Sequence, residues 1–91
     1  MIKTRLEYIK RIHNLILKIF EFEDDDIPNY RGVDKCNKAI DTWLCKITDD
    51  RKLQLKIYTI IDNNVWGTDP TYKTIANELK EIGVEMEYEK K

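Results

Sequence analysis

The sequence predicts a mainly α-helical fold, a compact antiparallel bundle of three to four helices to which a short C-terminal strand could be added. Apolar residues recur at helical spacing near residues 2–22, 33–47 and 70–82, and turn-type residues separate these segments. A length of 91 residues with 42% hydrophobic residues fits one domain covering 1–91. The alternative is an α+β fold with strands near 52–61 and 84–89.

The first segment, residues 2–22, has the clearest 3.6-residue periodicity. Its apolar stripe consists of Ile2, Leu6, Ile9, Ile12, His13, Ile16, Ile19 and Phe20. Tyr8, Leu15 and Leu17 widen this stripe to more than half of the circumference. A stripe of this width predicts a helix that is either central to its own fold or part of a surface for homo-oligomerisation.

An acidic run from Glu21 to Asp26 follows, and the second helix is predicted over 33–47. Acidic side chains at a helix C-terminus oppose the helix dipole, so we expect this run to lie beyond the end of the first helix. Cys36 and Cys45 fall on opposite faces of the second helix, about 13 Å apart along its axis. Both are therefore predicted to be free thiols, as in a reducing compartment.

Residues 51–62 fit two patterns. Leu53, Ile57 and Ile61 share one face of a helix, whereas Leu53, Leu55 and Ile57 alternate with polar residues as in a strand. We favour the helix, because a strand needs partners and the chain offers only one other candidate.

The last helix is predicted over 70–82. Asp69 suits its N-cap, Pro70 its first position, and Gly83 a left-handed residue that ends it. Residues 84–88 then alternate apolar and charged side chains, which makes them the other strand candidate.

The sequence predicts no enzyme activity and no cofactor or metal. Serine is absent, and the single histidine, His13, lies in an apolar stripe as a core or interface residue does. A pairing of His13 with Cys36 is discounted because burial makes a thiol inert. Gly32, Gly67 and Gly83 are isolated and form no phosphate loop. Two cysteines and one histidine at these spacings do not make a zinc site.

The sequence also predicts where the protein works. No stretch approaches the roughly 20 apolar residues of a membrane span, and no secretory signal is visible, so we expect a small, soluble, cytoplasmic protein that binds no membrane. The residue bias fits an AT-rich genome, such as a low-GC bacterium with its phages and plasmids. Size and composition resemble the inhibitors and immunity proteins of such mobile elements, which act by protein–protein binding.

The candidate partner-binding residues follow from this hypothesis. Aromatic side chains beside charge make good interface anchors, and the set is Phe20, Phe22, Glu23, Asp24, Asp25, Asp26, Tyr30 and Trp66. Trp66 and Tyr30 lie in loop-like sequence. We expect the Trp66 side chain to pack into the core from the loop. The alternative is that it is exposed as an anchor for a partner.

The alternative function is that of a small dimeric DNA-binding regulator. It would use the basic face of the first helix, formed by Lys3, Lys10, Arg11 and Lys18. A net charge of −1 argues against general affinity for nucleic acid, so protein binding is favoured.

Overall fold

The computed structural model describes residues 2–24, 27, 29–66 and 71–87. In chain order its elements are β1 (Ile2–Arg5), α1 (Leu6–Asp24), α2 (Tyr30–Ile47), α3 (Arg51–Asn63), α4 (Thr71–Glu81) and β2 (Val84–Glu87). Four helices and one short two-stranded sheet therefore make up the regular structure of these residues. The predicted mainly α-helical bundle with a C-terminal strand is confirmed.

The helix α1 is central to the fold. It packs against α2 and α3 and is joined directly to β1. Its buried residues are Ile9, Ile12, Ile16 and Ile19, and they meet the core residues Ile40, Leu44, Ile57, Ile61, Ile75 and Leu79 from the other helices. The partly buried Tyr8, Leu15 and Leu17 flank this core. The width of the apolar stripe is thus explained by packing within one chain.

The first described residues form a strand, so the prediction that helix begins at Ile2 is wrong. β1 pairs in parallel with β2, from Ile2 beside Val84 to Arg5 beside Glu87, and the Ile2 amide donates to the Gly83 carbonyl at 3.0 Å. Thr4 of β1 is buried, whereas its neighbours in the strand are exposed. In residues 2–6 the apolar positions fit both the helical stripe and the alternation of a strand. The sequence pattern therefore did not distinguish the strand from the start of the helix.

Residues 51–63 are helical, and the alternative of a strand near 52–61 is wrong. The carboxylate of Asp50 caps α3 by accepting from the amides of Lys52 and Leu53, at 3.0 and 3.4 Å. Gln54 is buried on this helix, and its Nε2 donates to the Thr48 carbonyl at 2.7 Å. These bonds fix the tight connection between α2 and α3.

The helix α2 begins at Tyr30, three residues before the predicted 33. The side chain of Asn29 caps it by accepting from the Gly32 amide at 3.0 Å. The helix ends as expected, and its two cysteines are free thiols. Cys36 is buried and Cys45 is exposed, in agreement with their predicted opposite faces.

The helix α4 leads directly into β2. The predicted caps Asp69 and Pro70 lie outside the described residues, as do positions 88 and 89 of the predicted strand. Gly83 has a φ of +85°, the left-handed geometry expected after a helix end, and its amide donates to the Lys80 carbonyl at 3.1 Å. The chain therefore turns sharply enough for β2 to pack back on α4.

The helix α1 runs to Asp24, so the expectation that the acidic run lies wholly beyond it is wrong for Glu21, Glu23 and Asp24. Ile19 is buried, and Phe22 packs against the core one turn later. Burial of such side chains contributes about 1.5–3 kcal/mol each. An exposed charge that opposes the dipole costs only about 0.3–1 kcal/mol. Packing therefore extends the helix through its acidic last turn.

Candidate protein-binding site

Three elements meet at one end of the bundle: the C-terminus of α1, the N-terminus of α2 and the turn after α3. We call this surface the acidic–aromatic end and define it by Phe20, Glu21, Phe22, Glu23, Asp24, Ile27, Tyr30 and Trp66. The short connection between the antiparallel α1 and α2 is held by the Asn29 amide, which donates to the Phe22 carbonyl at 3.1 Å. The structure thus brings together six of the eight predicted partner-binding residues. The other two, Asp25 and Asp26, lie outside the described residues.

Trp66 is the most prominent side chain of this end. It is 75% exposed, and its indole stacks on the Phe20 ring with centroids 5.4 Å apart and an interplanar angle of 27°. The expectation that Trp66 plugs the core is wrong, because the preceding Val65 takes the buried position at 4% exposure. The indole is instead exposed to solvent on the side away from Phe20, as in the alternative prediction of an exposed anchor.

His13 holds the turn that carries Trp66. Its Nε2 lies 3.0 Å from the Val65 carbonyl oxygen, and since a carbonyl only accepts, Nε2 is the protonated nitrogen. Its Nδ1 then accepts from the Tyr72 hydroxyl of α4 at 3.3 Å, with the two rings edge to face. Burial raises the pKa of Tyr72. Both ring nitrogens of His13 are therefore engaged in joining α1, the turn and α4.

The carboxylates of the acidic–aromatic end have no ion partners within the described part of the chain. Four salt bridges occur there, and none involves Glu21, Glu23 or Asp24. The last turn of α1 also contains no basic residue. The pKa of Tyr58 is raised by burial first, then by the negative charges of Asp62 and Glu23. A region of negative potential thus reaches from α1 across to α3.

Two further exposed apolar side chains belong to this end. Tyr30 is 74% exposed and begins α2 instead of lying in a loop, and Ile27 is 85% exposed. Sequence reasoning missed Ile27, whose only signal was an isolated apolar residue within a polar turn. Phe22 by contrast packs inward over Gly32, close enough that a Cβ there would lie 2.7 Å from its ring.

The predicted basic face of the first helix is divided by the fold. Lys3 lies in β1 and pairs with Glu87 at 3.5 Å, so only three of its four residues belong to α1. Lys10 lies over the Tyr72 ring, 5.6 Å from its centroid. Arg11 pairs with Glu7 at 3.7 Å. The proposed DNA-reading face is therefore smaller than the sequence suggested.

A second surface, which sequence reasoning did not identify, lies between α1 and α2. We call it the α1–α2 groove; it has a volume of about 210 Å³ and is lined by Arg11, Asn14, Leu15, Lys18, Ala39 and Trp43. The Trp43 ring has the Arg11 guanidinium 5.5 Å and the Lys46 ammonium 4.9 Å from its centroid. Tyr8 packs on the same ring at 5.3 Å. The groove thus has an apolar floor and a cationic rim.

Within residues 2–24, 27, 29–66 and 71–87, no three metal-binding side chains come together. None of the helices in these ranges has the length and apolar character needed to cross a bilayer. Comparisons of the chain with models of protein families, with curated proteins and with solved structures found no match. Function is therefore inferred from the two surfaces themselves.

Proposed function

We propose that this protein acts without covalent catalysis, by binding another protein through its acidic–aromatic end. The observation that carries the proposal is the exposed indole of Trp66, stacked on Phe20 near the last turn of α1. The carboxylates of that turn take part in none of the salt bridges among the described residues. A rigid aromatic anchor next to charge is typical of the residues that dominate interface energetics. An inhibitor or immunity protein that covers a basic surface of its target is the role that suits this arrangement.

The exposed indole offers a large binding energy. An aromatic side chain buries about 150–250 Å² in a complex. At about 25 cal/mol per Å², covering the 75% of Trp66 that is exposed contributes about 3–5 kcal/mol before the costs of association. Stacking on Phe20 restricts the rotamers of the indole in advance, so less conformational entropy is lost when a partner covers it.

The charges of this end specify the chemistry of the partner. The C-terminal end of the α1 dipole is negative, and the carboxylates of Glu21, Glu23 and Asp24 add their own negative charge there. A cationic side chain placed there meets both the carboxylates and the dipole, and it relieves their mutual repulsion. We therefore expect a partner that presents Lys or Arg around an apolar pocket able to receive Trp66.

Peptide binding to a single-tryptophan variant tests the proposal. In a Trp43→Phe background, Trp66 is the only indole, and its emission reports directly on burial. Cationic peptides with a central leucine or phenylalanine should shift this emission to the blue and bind less tightly as salt rises. Neutral and acidic peptides of matched hydrophobicity should leave it unchanged.

Two charge-reversal variants provide the matched control. Glu21→Lys with Asp24→Lys should abolish binding of the cationic peptides. Asp34→Lys with Asp41→Lys changes the net charge equally on exposed positions of α2, and it should retain the binding. If Trp66 stays solvated with every cationic peptide, or if both variants weaken binding equally, the proposal is refuted.

A duplex DNA titration separates this function from the DNA-binding alternative. Binding to nonspecific duplex at low salt, lost in a Lys10→Glu, Arg11→Glu, Lys18→Glu variant, would favour a regulator instead. No binding at low salt eliminates that alternative.

A further inference from the structure

The α1–α2 groove carries positive charge on both of its sides. Arg11 and Lys18 of α1 belong to its lining, and the Lys46 ammonium of α2 lies over its Trp43 ring. Among the described residues, no carboxylate belongs to the lining. Glu7 pairs with Arg11 at 3.7 Å, but both side chains are about half exposed, and surface pairs of this kind are weak. The guanidinium therefore stays available to an anionic ligand.

Three other cations around the groove are not neutralised by the chain itself. Lys18, Lys35 and Lys46 are exposed and take part in none of the four salt bridges found within the described residues. Lys35 and Lys46 lie four residues before and seven residues after Ala39 of the lining, so all three share one face of α2. Because α1 and α2 are antiparallel, Lys46 lies beside Arg11, whereas Lys18 and Lys35 both lie toward the C-terminus of α1. An occupant of the groove thus meets cations at both of its ends.

The floor and the size of the groove suit one apolar side chain. Leu15, Ala39 and Trp43 form the floor, and the volume of about 210 Å³ is below the roughly 300–1,000 Å³ of pockets for small-molecule ligands. The Trp43 ring already has two cations over it and Tyr8 packed on it. A nucleobase would have to displace these side chains in order to stack there. The construction therefore favours a protein ligand over a cofactor or a nucleic acid.

We infer that the α1–α2 groove binds an acidic amphipathic helix of a partner protein, which inserts one leucine or phenylalanine between the cations of the two helices. Arg11 and Lys18 are seven residues apart, about 10.5 Å along α1. A glutamate four residues before the inserted side chain and another three residues after it are separated by the same distance. All three share one face of the partner helix, so they can contact the floor and both cations together.

This surface is separate from the acidic–aromatic end. Phe20 follows Lys18 by two residues, which places the two side chains about 160° apart around α1. The indole of Trp66 stacks on Phe20 and therefore lies on the flank of α1 away from the groove. The proposed function does not require the groove, and both surfaces can be occupied together. Their opposite charges select an acidic partner at one surface and a basic partner at the other.

Peptide binding to a Trp66→Phe chain tests the inference, because Trp43 is then the only indole. The probe is a labelled, alanine-rich helical peptide of about 15 residues, with a central leucine and glutamates four residues before and three residues after it. It should bind in a fluorescence anisotropy titration, change the Trp43 emission and bind less tightly as salt rises. Replacing its leucine with serine should weaken binding about ten-fold or more, because the apolar floor is then not covered.

Charge reversals locate this binding on the protein. Lys18→Glu with Lys46→Glu should weaken the binding of the leucine peptide at least ten-fold. Lys52→Glu with Lys56→Glu changes the net charge equally at exposed positions of α3, and it should retain the binding. Thermal unfolding of each variant confirms that it is folded.

An isosteric change gives a second, milder test. Asn14→Asp places a carboxylate in the groove lining without altering its shape, and it should weaken the binding several-fold. Asn37→Asp is the control, because Asn37 is exposed and lies two residues before Ala39, on nearly the opposite side of α2. It should leave the binding unchanged.

Three results overturn the inference. The first is a leucine peptide that does not bind at low salt, and the second is a Lys18→Glu, Lys46→Glu variant that binds it as tightly as the α3 control does. The third is a serine peptide or a single-stranded DNA that binds as tightly as the leucine peptide, since the apolar floor would then contribute nothing.

The two proposals fail independently. The proposed function is measured by Trp66 with cationic peptides, whereas the groove is measured by Trp43 with acidic ones. A chain that binds only the cationic peptides refutes the groove inference alone, and a chain that binds only the acidic peptide refutes the proposed function alone.

Discussion

Replacing His13 with leucine is the sharpest test of how the fold holds Trp66. The substitution keeps a similar volume in the apolar stripe but removes the hydrogen bonds to the Val65 carbonyl and the Tyr72 hydroxyl. Two bonds at about 1 kcal/mol each, in a half-buried position where water reaches the freed groups, amount to about 2 kcal/mol. The added apolar burial offsets about 0.5 kcal/mol. We expect a loss of about 1.5 kcal/mol, or about 6–12 °C in Tm for a domain of this size.

Urea unfolding at pH 8 measures this loss, and Trp66 emission in a Trp43→Phe background reports the position of the turn. His13→Leu should lower the unfolding midpoint and alter the emission of the native state. Asn14→Leu, at the exposed neighbouring position, is the control and should do neither. If His13→Leu stays within 0.5 kcal/mol of the parent and leaves the emission unchanged, the turn is held by packing alone, and the assignment of His13 as its positioning residue is wrong.

Three further outcomes follow from the geometry. Gly83→Ala should destabilise by about 1–2 kcal/mol in thermal unfolding, since a left-handed φ of +85° strains any side chain even where the space around it is open. Gly32→Ala should also destabilise, because its Cβ would lie 2.7 Å from the Phe22 ring; in a double-mutant cycle with Phe22→Leu the penalty should largely vanish, and additive losses would contradict the clash. Tyr58 and Tyr72 have raised pKa values in the folded state. Because the unfolded chain then releases these protons first, stability should fall as pH rises above about 10, and the fall should flatten when both residues are replaced by phenylalanine.

The helical part of the fold was predictable because its signals are local. Apolar stripes in α1, α2 and α4 identified the helices, and a missing partner strand decided in favour of helix for α3. The strand β1 was not predictable in the same way. Ile2 and Leu6 extend the stripe of α1, and only pairing with Val84 and its neighbours, about 80 residues away, shows that the first four described residues are extended.

The residues of the candidate site could be predicted from the sequence, but the exposure of their side chains to solvent could not. Loop-like sequence around Trp66 allowed a buried or an exposed indole, and the choice depends on Val65, which fills the core from the same turn. The α1–α2 groove was missed for a related reason. Arg11 and Trp43 are distant in sequence, and only the packing of α1 on α2 places the cations around the indole.

The acidic end of α1 connects stability with function. Charges that oppose the dipole are destabilising, and α1 tolerates them because the burial of Ile19 and the packing of Phe22 contribute more. The free-energy cost of these charges is therefore removed when a cation binds beside them. This free energy is recovered when a cationic side chain of a partner protein lies beside Glu21 and Asp24. Glu21→Gln with Asp24→Asn should therefore raise the stability of the free chain in urea unfolding and weaken its binding of cationic peptides, and a variant that is no more stable than the parent would show that these charges do not oppose folding.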